Sequence, residues 1–274
     1  MIKYSIITVC KNAEKEISKT IESILNQNID FSLVEMVVVD GASDDDTGIV
    51  VNSYCEKARE KGLIINFKSE KDAGIYDAMN KGASLANGEW CLYLNAGDVF
   101  YNSDSLKNLI NNEKEQYDII YGDTIHVYKN RMLLVKAKSE NELTYKRGME
   151  FCHQSCIIKR VYLIENPYTQ KYKIAGDYEF FTRAFKNGAV FHYVPEVISI
   201  FNRDGVSSTN GAMVYKENSE VQFQYNLINQ AEYESVQKKM DRKLKMRKIT
   251  PVVIVKMRHK ILMLKTTRKW LKIK

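Results

Sequence analysis

Proline is nearly missing from this chain: 3 in 274 residues, with 13 glycines scattered along it. That scarcity excludes a collagen-like or proline-rich extended chain. No run of about 18 uninterrupted apolar residues occurs, so no membrane-spanning helix is expected. A cleavable leader is not expected either. Met1-Ile2-Lys3-Tyr4 runs directly into Ser5-Ile6-Ile7-Thr8-Val9, a strand pattern too short for a leader's apolar core. Cysteines number 5, an odd and widely spaced set that reads as reduced thiols of a cytosolic protein. Cys152 and Cys156 lie close together, but no second pair at metal-finger spacing follows. What remains is ordinary globular material, 45% hydrophobic and 27% charged.

Charge is unevenly placed. The net charge is +7, yet residues 238–274 hold 15 Lys/Arg against the single acid Asp241, so the preceding 237 residues sum to −7. The basic tail also carries Val252, Val253, Ile254, Val255, Met257, Ile261, Leu262, Met263, Leu264, Trp270, Leu271 and Ile273. Basic and large apolar residues interleaved in this way suit a helix lying on an anionic membrane surface. An intramolecular or homo-oligomer contact is the next alternative. Nucleic acid is not expected, because the tail has few aromatic stacking platforms.

The first 98 residues alternate strand and helix patterns four times. Strands are expected at 3–9, 35–39, 63–67 and 90–94. Helices are expected at 13–27 (capped by Asn12), 45–61 (stopped by Gly62) and 75–86. That rhythm predicts an α/β fold with a parallel sheet and helices on both faces, and ligands at the carboxyl ends of the strands. The second half is less regular. Helix is expected at 103–113, strand at 117–121, a hairpin near 124–137 turning at Lys129-Asn130-Arg131, helix to about 187 from Gly176-Asp177, strands at 189–193 and 197–201, and helix from about 212. The expected domains are 1–211, with halves at 1–98 and 99–211, followed by a basic helical extension at 212–274.

Polar residues close successive strands: Asp40 after Val37-Val38-Val39, then Ser69-Glu70-Lys71-Asp72, then Asn95-Ala96-Gly97-Asp98. Carboxylates gathered on one edge repel unless a cation or ligand donors offset them. Four segments carry a resemblance. They are Ile6-Ile7-Thr8-Val9, Val38-Val39-Asp40-Gly41-Ala42-Ser43-Asp44-Asp45-Asp46-Thr47, Ser69-Glu70 through Gly74-Ile75-Tyr76-Asp77-Ala78-Met79-Asn80-Lys81-Gly82, and Leu94-Asn95-Ala96-Gly97-Asp98. Together they resemble the family 2 glycosyltransferases, inverting GT-A enzymes that use nucleotide sugars, and within them the branch of bacterial capsule, exopolysaccharide and colanic-acid-type clusters. The resemblance covers roughly 3–208.

It implies a donor site of Thr8, Val9, Asp40, Ser69, Glu70, Asp72, Asp77, Asn95 and Ala96, with Asp40 accepting from a base N–H, by default that of uracil. It places Asn95-Ala96-Gly97-Asp98 at the metal-binding Asp-x-Asp, with Asn95 in place of the first carboxylate. Asp98 and a late His192 are the candidate ligands for Mg²⁺ or Mn²⁺. Lys81 and Arg203 are candidates to assist at the diphosphate. Asp177 is the implied general base, with Glu179 as its local alternative. His153, Gln154 and Glu179 are candidate acceptor or sugar contacts. The implied activity is transfer of a sugar to a cell-surface glycan or lipid-linked acceptor at the cytoplasmic face of the inner membrane, with the tail as a peripheral anchor. Against this stand a nucleotidyltransferase, which lacks its Gly-rich loop in Cys10-Lys11-Asn12-Ala13-Glu14, and a non-catalytic nucleotide-binding scaffold.

Overall fold

The computed structural model describes residues 1–128, 131–202 and 210–249. Arg203, the first two residues of the expected hairpin turn and the apolar-basic stretch of the tail lie outside the described residues.

The run Tyr4–Cys10 is β1, buried along its whole length. Its alternate residues serve opposite faces: Ile6 and Cys10 join one core cluster, Ile7 and Val9 the other. Such double-sided burial is why the strand reads as a continuous apolar run rather than an alternating one. β2 (Val34–Asp40) and β3 (Ile64–Ser69) pair parallel outward from it, and β4 (Trp90–Tyr93) pairs parallel on its other side. Helix α1 (Ile17–Leu25) buries Ile17, Ile21, Ile24 and Leu25 against one face. Burial of each is worth about 2 kcal/mol. α2 (Thr47–Ser53) and α3 (Cys55–Glu60) divide at Tyr54 what the periodicity presents as one helix. α4 (Ile75–Leu85) covers the opposite face, with Gly82 against Ile7 of β1 so closely that a Cβ there would collide.

The second half departs from strict alternation. After β5 (Val99–Phe100) and α5 (Ser105–Ile110), the long β6 (Ile119–Tyr128) and β7 (Arg131–Val135) form the expected hairpin. β8 (Cys156–Lys159) wedges antiparallel between β4 and β6. β9 (Phe191–Asn202) is one strand where two were expected, pairing parallel to β6 through a bulge. Among the described residues the sheet order is β3-β2-β1-β4-β8-β6-β9-β5, with β7 on β6. α6 (Arg160–Glu165) follows β8, and α7 (Gly176–Lys186) returns to the α4 face. α8 (Gly211–Gln224) and α9 (Gln230–Ile249) complete the described chain. Val221 of α8 is fully buried in the α4-face core. α9 is tied to α8 by Lys216–Asp241, by Gln237 Nε2 to the Lys216 carbonyl (3.1 Å) and by a Phe223–Tyr233 stack. No described helix is long and apolar enough to cross a membrane.

Candidate active site

Four parallel strands, in the order β3-β2-β1-β4, end side by side, and the loops after them interlock. Gly41 N–H donates to the Cys10 carbonyl (2.9 Å) and Glu70 N–H to the Asp40 carbonyl (3.0 Å). Ala96 N–H reaches the Val9 carbonyl (3.4 Å). Asp72 folds over Gly41 so tightly that any Cβ at 41 would meet its carboxylate. Asp40, Ser69, Asp72 and the Asn95–Asp98 turn therefore share one edge of the sheet, as their positions in the sequence predict.

Individual roles differ from expectation. Asp40 is 2% exposed and already satisfied. Its oxygens accept from the Ser43 hydroxyl, Ser43 N–H (3.0 Å) and the Ser69 hydroxyl (2.6 Å), with the Cys10 thiol at 3.8 Å. Through these bonds it organises the strand-end loop. Thr8 is likewise committed, its hydroxyl donating to the Leu94 carbonyl (2.8 Å). Val9 is buried in the α4-face core. Asn12 is not a helix cap. It takes a left-handed conformation (φ 51°), and its Oδ1 accepts from Asp44 N–H (3.0 Å), knitting the 10–14 loop to the 43–47 loop. Asp77 is held in the first turn of α4 by Ala73 N–H (3.0 Å), Gln170 (3.1 Å) and Lys81 (3.1 Å). Those hydrogen bonds, with the Lys81 charge, lower its pKa. Lys81 also pairs with Glu70 at 3.3 Å, so both are engaged on the α4 surface.

The Asn95–Asp98 turn supplies two oxygens suited to a hard cation. Asn95 Oδ1 is buried with no hydrogen-bond partner among the described residues. An orphaned buried acceptor of this kind asks for a ligand. Asp98 is 5% exposed, and burial pushes its carboxyl up to about 8, only partly offset by the Asn202 N–H at 3.3 Å. A buried carboxylate is stabilised as an anion by a cation beside it. The donor set thus fits Mg²⁺ or Mn²⁺, with one carboxylate where two are usual. No group of three or more His, Cys, Asp or Glu among the described residues could hold a metal by itself. His192 does not contribute. It pairs with Ile120, eight residues along β9 from the Ile200 that faces Val99, roughly 25 Å of strand. There its ring stacks on Tyr117 (4.4 Å between centroids) with Nδ1 3.6 Å from Glu140.

Asp177 sits in the first turn of α7. Tyr178 N–H donates to its Oδ1 (2.8 Å), and the Tyr76 hydroxyl lies 3.2 Å from the same oxygen and 2.6 Å from the Ile174 carbonyl. Burial raises the Asp177 carboxyl to about 6, the nearby Glu217 charge adds to the rise, and the two donors offset part of it. The charges of both Asp98 and Asp177 reach the Cys152 thiol. Cys152 itself lies against the Gln154 side-chain oxygen (3.0 Å). Through Tyr76, in the first turn of α4 just after Asp72, the expected base is tied to the strand-end loops.

Two of the expected acceptor contacts are structural. His153 is 3% exposed, packed among Tyr93, Tyr168 and Phe181, with Nε2 2.9 Å from the Tyr168 hydroxyl. Burial drops it to about 3, so it stays neutral. Glu179 faces the other way, bound by Arg183 (3.0 Å) and the Tyr225 hydroxyl (2.5 Å), and is no alternative base. Gln154 is buried beneath the site. Sequence reasoning assigned no role to Tyr76 or Glu217. Tyr76 stands in the Gly-Ile-Tyr-Asp string, but its partner lies about a hundred residues away.

An α/β sheet that gathers carboxylates at its strand ends, with a desolvated aspartate tied to the α4 start that follows them, has the build of a GT-A enzyme. The chain belongs to glycosyl transferase family 2, whose model matches residues 5–182, and it is a glycosyltransferase. It is 34% identical over 212 residues to a PGL/p-HBAD biosynthesis glycosyltransferase of Mycobacterium bovis, covering 75% of this chain and 79% of that one. It is 26% identical over 119 residues to the minor teichoic acid biosynthesis protein GgaB of Bacillus subtilis, 43% of this chain and 13% of that protein. Among solved structures, S. aureus TarS 1-349 in complex with UDP-GlcNAc superposes with TM-score 0.62 at 19% identity, over 87% of this chain and 71% of that one. The mannosyltransferase PcManGT of Pyrobaculum calidifontis, in complex with GDP-Man and Mn²⁺, gives 0.66 at 15% identity, over 96% and 80%. The first two relatives are named for PGL/p-HBAD and minor teichoic acid biosynthesis, and they do not show the capsule, exopolysaccharide and colanic-acid-type branch expected from the motifs.

Proposed function

We propose that the chain transfers a sugar, with inversion, from a nucleoside-diphosphate donor to a hydroxyl of a cell-surface glycan or lipid-linked acceptor. UDP is the default nucleotide, since TarS binds UDP-GlcNAc and the glucosyl-3-phosphoglycerate synthase of Mycobacterium tuberculosis, a further fold neighbour, binds UDP with Mn²⁺. The observation that carries the reading is Asp177, a carboxylate raised to about 6 and aimed by Tyr178 and by Tyr76, which ties it to the α4 start just after Asp72. Asp177 accepts the proton of the acceptor hydroxyl as that oxygen bonds to the anomeric carbon. The bond from that carbon to phosphate oxygen breaks, and its electron pair leaves with the nucleoside diphosphate. A base near this pKa is ionised at neutral pH yet basic enough to assist. Asn95 Oδ1 and Asp98 would hold Mg²⁺ or Mn²⁺, which supplies charge stabilisation at the departing diphosphate. Asp72 over Gly41 walls the nucleotide side.

A nucleotidyltransferase is disfavoured, because the 10–14 loop is tied down by side chains of Ser43, Asp45 and Thr47 rather than opened as a glycine cradle. The basic tail, which continues from Lys238, Lys239, Arg242, Lys243 and Lys245 of α9, would bring the site to an anionic cytoplasmic leaflet. The test is a panel of UDP-, GDP- and dTDP-sugars with and without Mn²⁺, scored by nucleoside diphosphate release. Turnover with one donor is expected, and Asp177→Asn should lower it about 10³-fold at unchanged UDP affinity. Absence of both nucleotide binding and release across the panel would falsify the reading.

A further inference from the structure

Glu217 lies on α8, beyond the 5–182 span of the family match, yet it reaches into the segment that carries Asp177. Its side chain is buried at 8% exposure. Oε1 accepts from Lys173 N–H (3.2 Å), and Oε2 accepts from Ile174 N–H (2.8 Å) and Ala175 N–H (2.9 Å). Three consecutive amides thus converge on one carboxylate just before α7 begins. The cap position of α7 is Ala175, which has no side-chain acceptor to offer. Glu217 takes the Ala175 N–H from a distant helix, as the glutamate of a capping box takes the N-cap N–H locally, and its charge is favourable near a helix N-terminus.

The opposite side of the segment is equally constrained. The Tyr76 hydroxyl holds the Ile174 carbonyl at 2.6 Å. A Cβ at Gly176 would lie 2.6 Å from the Tyr76 ring, so the backbone at 176 has no slack toward α4. α8 is itself pinned next to this loop, Gln224 accepting from the Tyr172 hydroxyl (3.0 Å) and Lys171 Nζ (3.0 Å). Residues 173–176 are clamped between α4 and α8, and Asp177 follows directly.

We propose that Glu217 is a positioning residue: by accepting from the amides of 173–175 it sets where Asp177 points, which makes α8 part of the catalytic apparatus. The inference rests on Asp177 as general base. A purely structural Glu217 would lower stability and leave the turnover of folded enzyme unchanged. Positioning lowers kcat while leaving donor KM alone.

The experiment uses the full chain, comparing Glu217→Gln, Glu217→Asp, Gln237→Ala and Asp177→Asn. Hydrogen exchange is followed at residues 173–177, UDP affinity by calorimetry, and turnover with whichever of UDP-glucose, UDP-galactose or UDP-GlcNAc is active. For Glu217→Gln the expectation is lost protection at 173–175, UDP affinity and donor KM within about twofold, and kcat down at least about tenfold. Glu217→Asp keeps the charge on a shorter arm and should fall between it and the parent. It carries the test should the Gln variant not fold. Gln237→Ala, which removes an α9–α8 hydrogen bond without touching the three amides, should keep kcat within about twofold. Lost protection in the Glu217 variants with kcat unchanged overturns the positioning role and leaves the base standing. An active Asp177→Asn enzyme overturns the base reading, and this inference with it.

Discussion

The two halves of the sheet treat their carboxylates in opposite ways. On the β1–β2–β3 side, Asp40 is buried among hydroxyls and amides from its own and neighbouring loops, and it holds the strand-end loops in shape. On the α7 side, Asp177 is buried with fewer donors and a carboxylate nearby, and its proton affinity rises. The difference teaches that burial alone does not make a reactive acid. What counts is whether burial arrives with enough hydrogen-bond donors to keep the anion comfortable.

The contrast can be broken most sharply at Asp98. Asp98→Asn removes the one carboxylate of the Asn95–Asp98 pair and should weaken Mn²⁺ affinity in the presence of UDP by about 10- to 100-fold. Calorimetric titration of Mn²⁺ into the UDP complex measures it, and unchanged affinity would place the cation elsewhere. Next comes pH. The base must be ionised to act, so kcat/KM should fall about tenfold per unit below an acid limb near pH 6, and that limb should vanish in Asp177→Asn. Stability carries the same signature with its own sign. A carboxyl raised to about 6 binds its proton more tightly when folded, so its contribution is full below the ordinary value of 3.8 and is lost as pH rises to about 6. Asp177→Asn should therefore raise Tm by a few degrees, on the order of 1 kcal/mol, at pH 8 and scarcely change it at pH 4. A Tm gain that is the same at both pH values would contradict this.

Tyr76→Phe is the milder perturbation. It removes the hydroxyl shared by Ile174 and Asp177, and should cost about 1 kcal/mol of stability and several-fold in kcat. With a donor to its anion gone, the acid limb of Asp177 should move upward; a limb that moves down would show that the phenol does not face the carboxylate. The smallest effect on chemistry is expected from the tail. α9 packs on α8 through Asp241 and Met240, so a cut near 237 would damage the body. A cut after 249 should abolish binding to anionic vesicles while leaving turnover on a water-soluble acceptor within about twofold. Vesicle binding that survives the cut would remove the membrane role.

The first four strands were legible because β1, β2 and β4 are buried on both faces and read as unbroken apolar runs. β8 was not, since Cys156–Lys159 is four residues long and its place between β4 and β6 comes from antiparallel pairing with distant segments. Asn12 shows a subtler failure. An Asn before an apolar periodicity looks like a cap, but the Ser43-Asp44 loop, some thirty residues on, competes for it and wins.

By itself the sequence determined the alternating strands, the gathering of Asp40, Ser69, Asp72 and Asn95–Asp98 at one edge, and the family. Each of these follows from local period or fixed local spacing. Only the tertiary structure decided that Asp40 is already hydrogen-bonded, that His153 and Glu179 look inward, that His192 stands far down β9, and that Glu217 grips the segment before Asp177. Proton affinity and orientation depend on which donors and charges surround a group in space. Those neighbours come from chain positions whose separation no local pattern records.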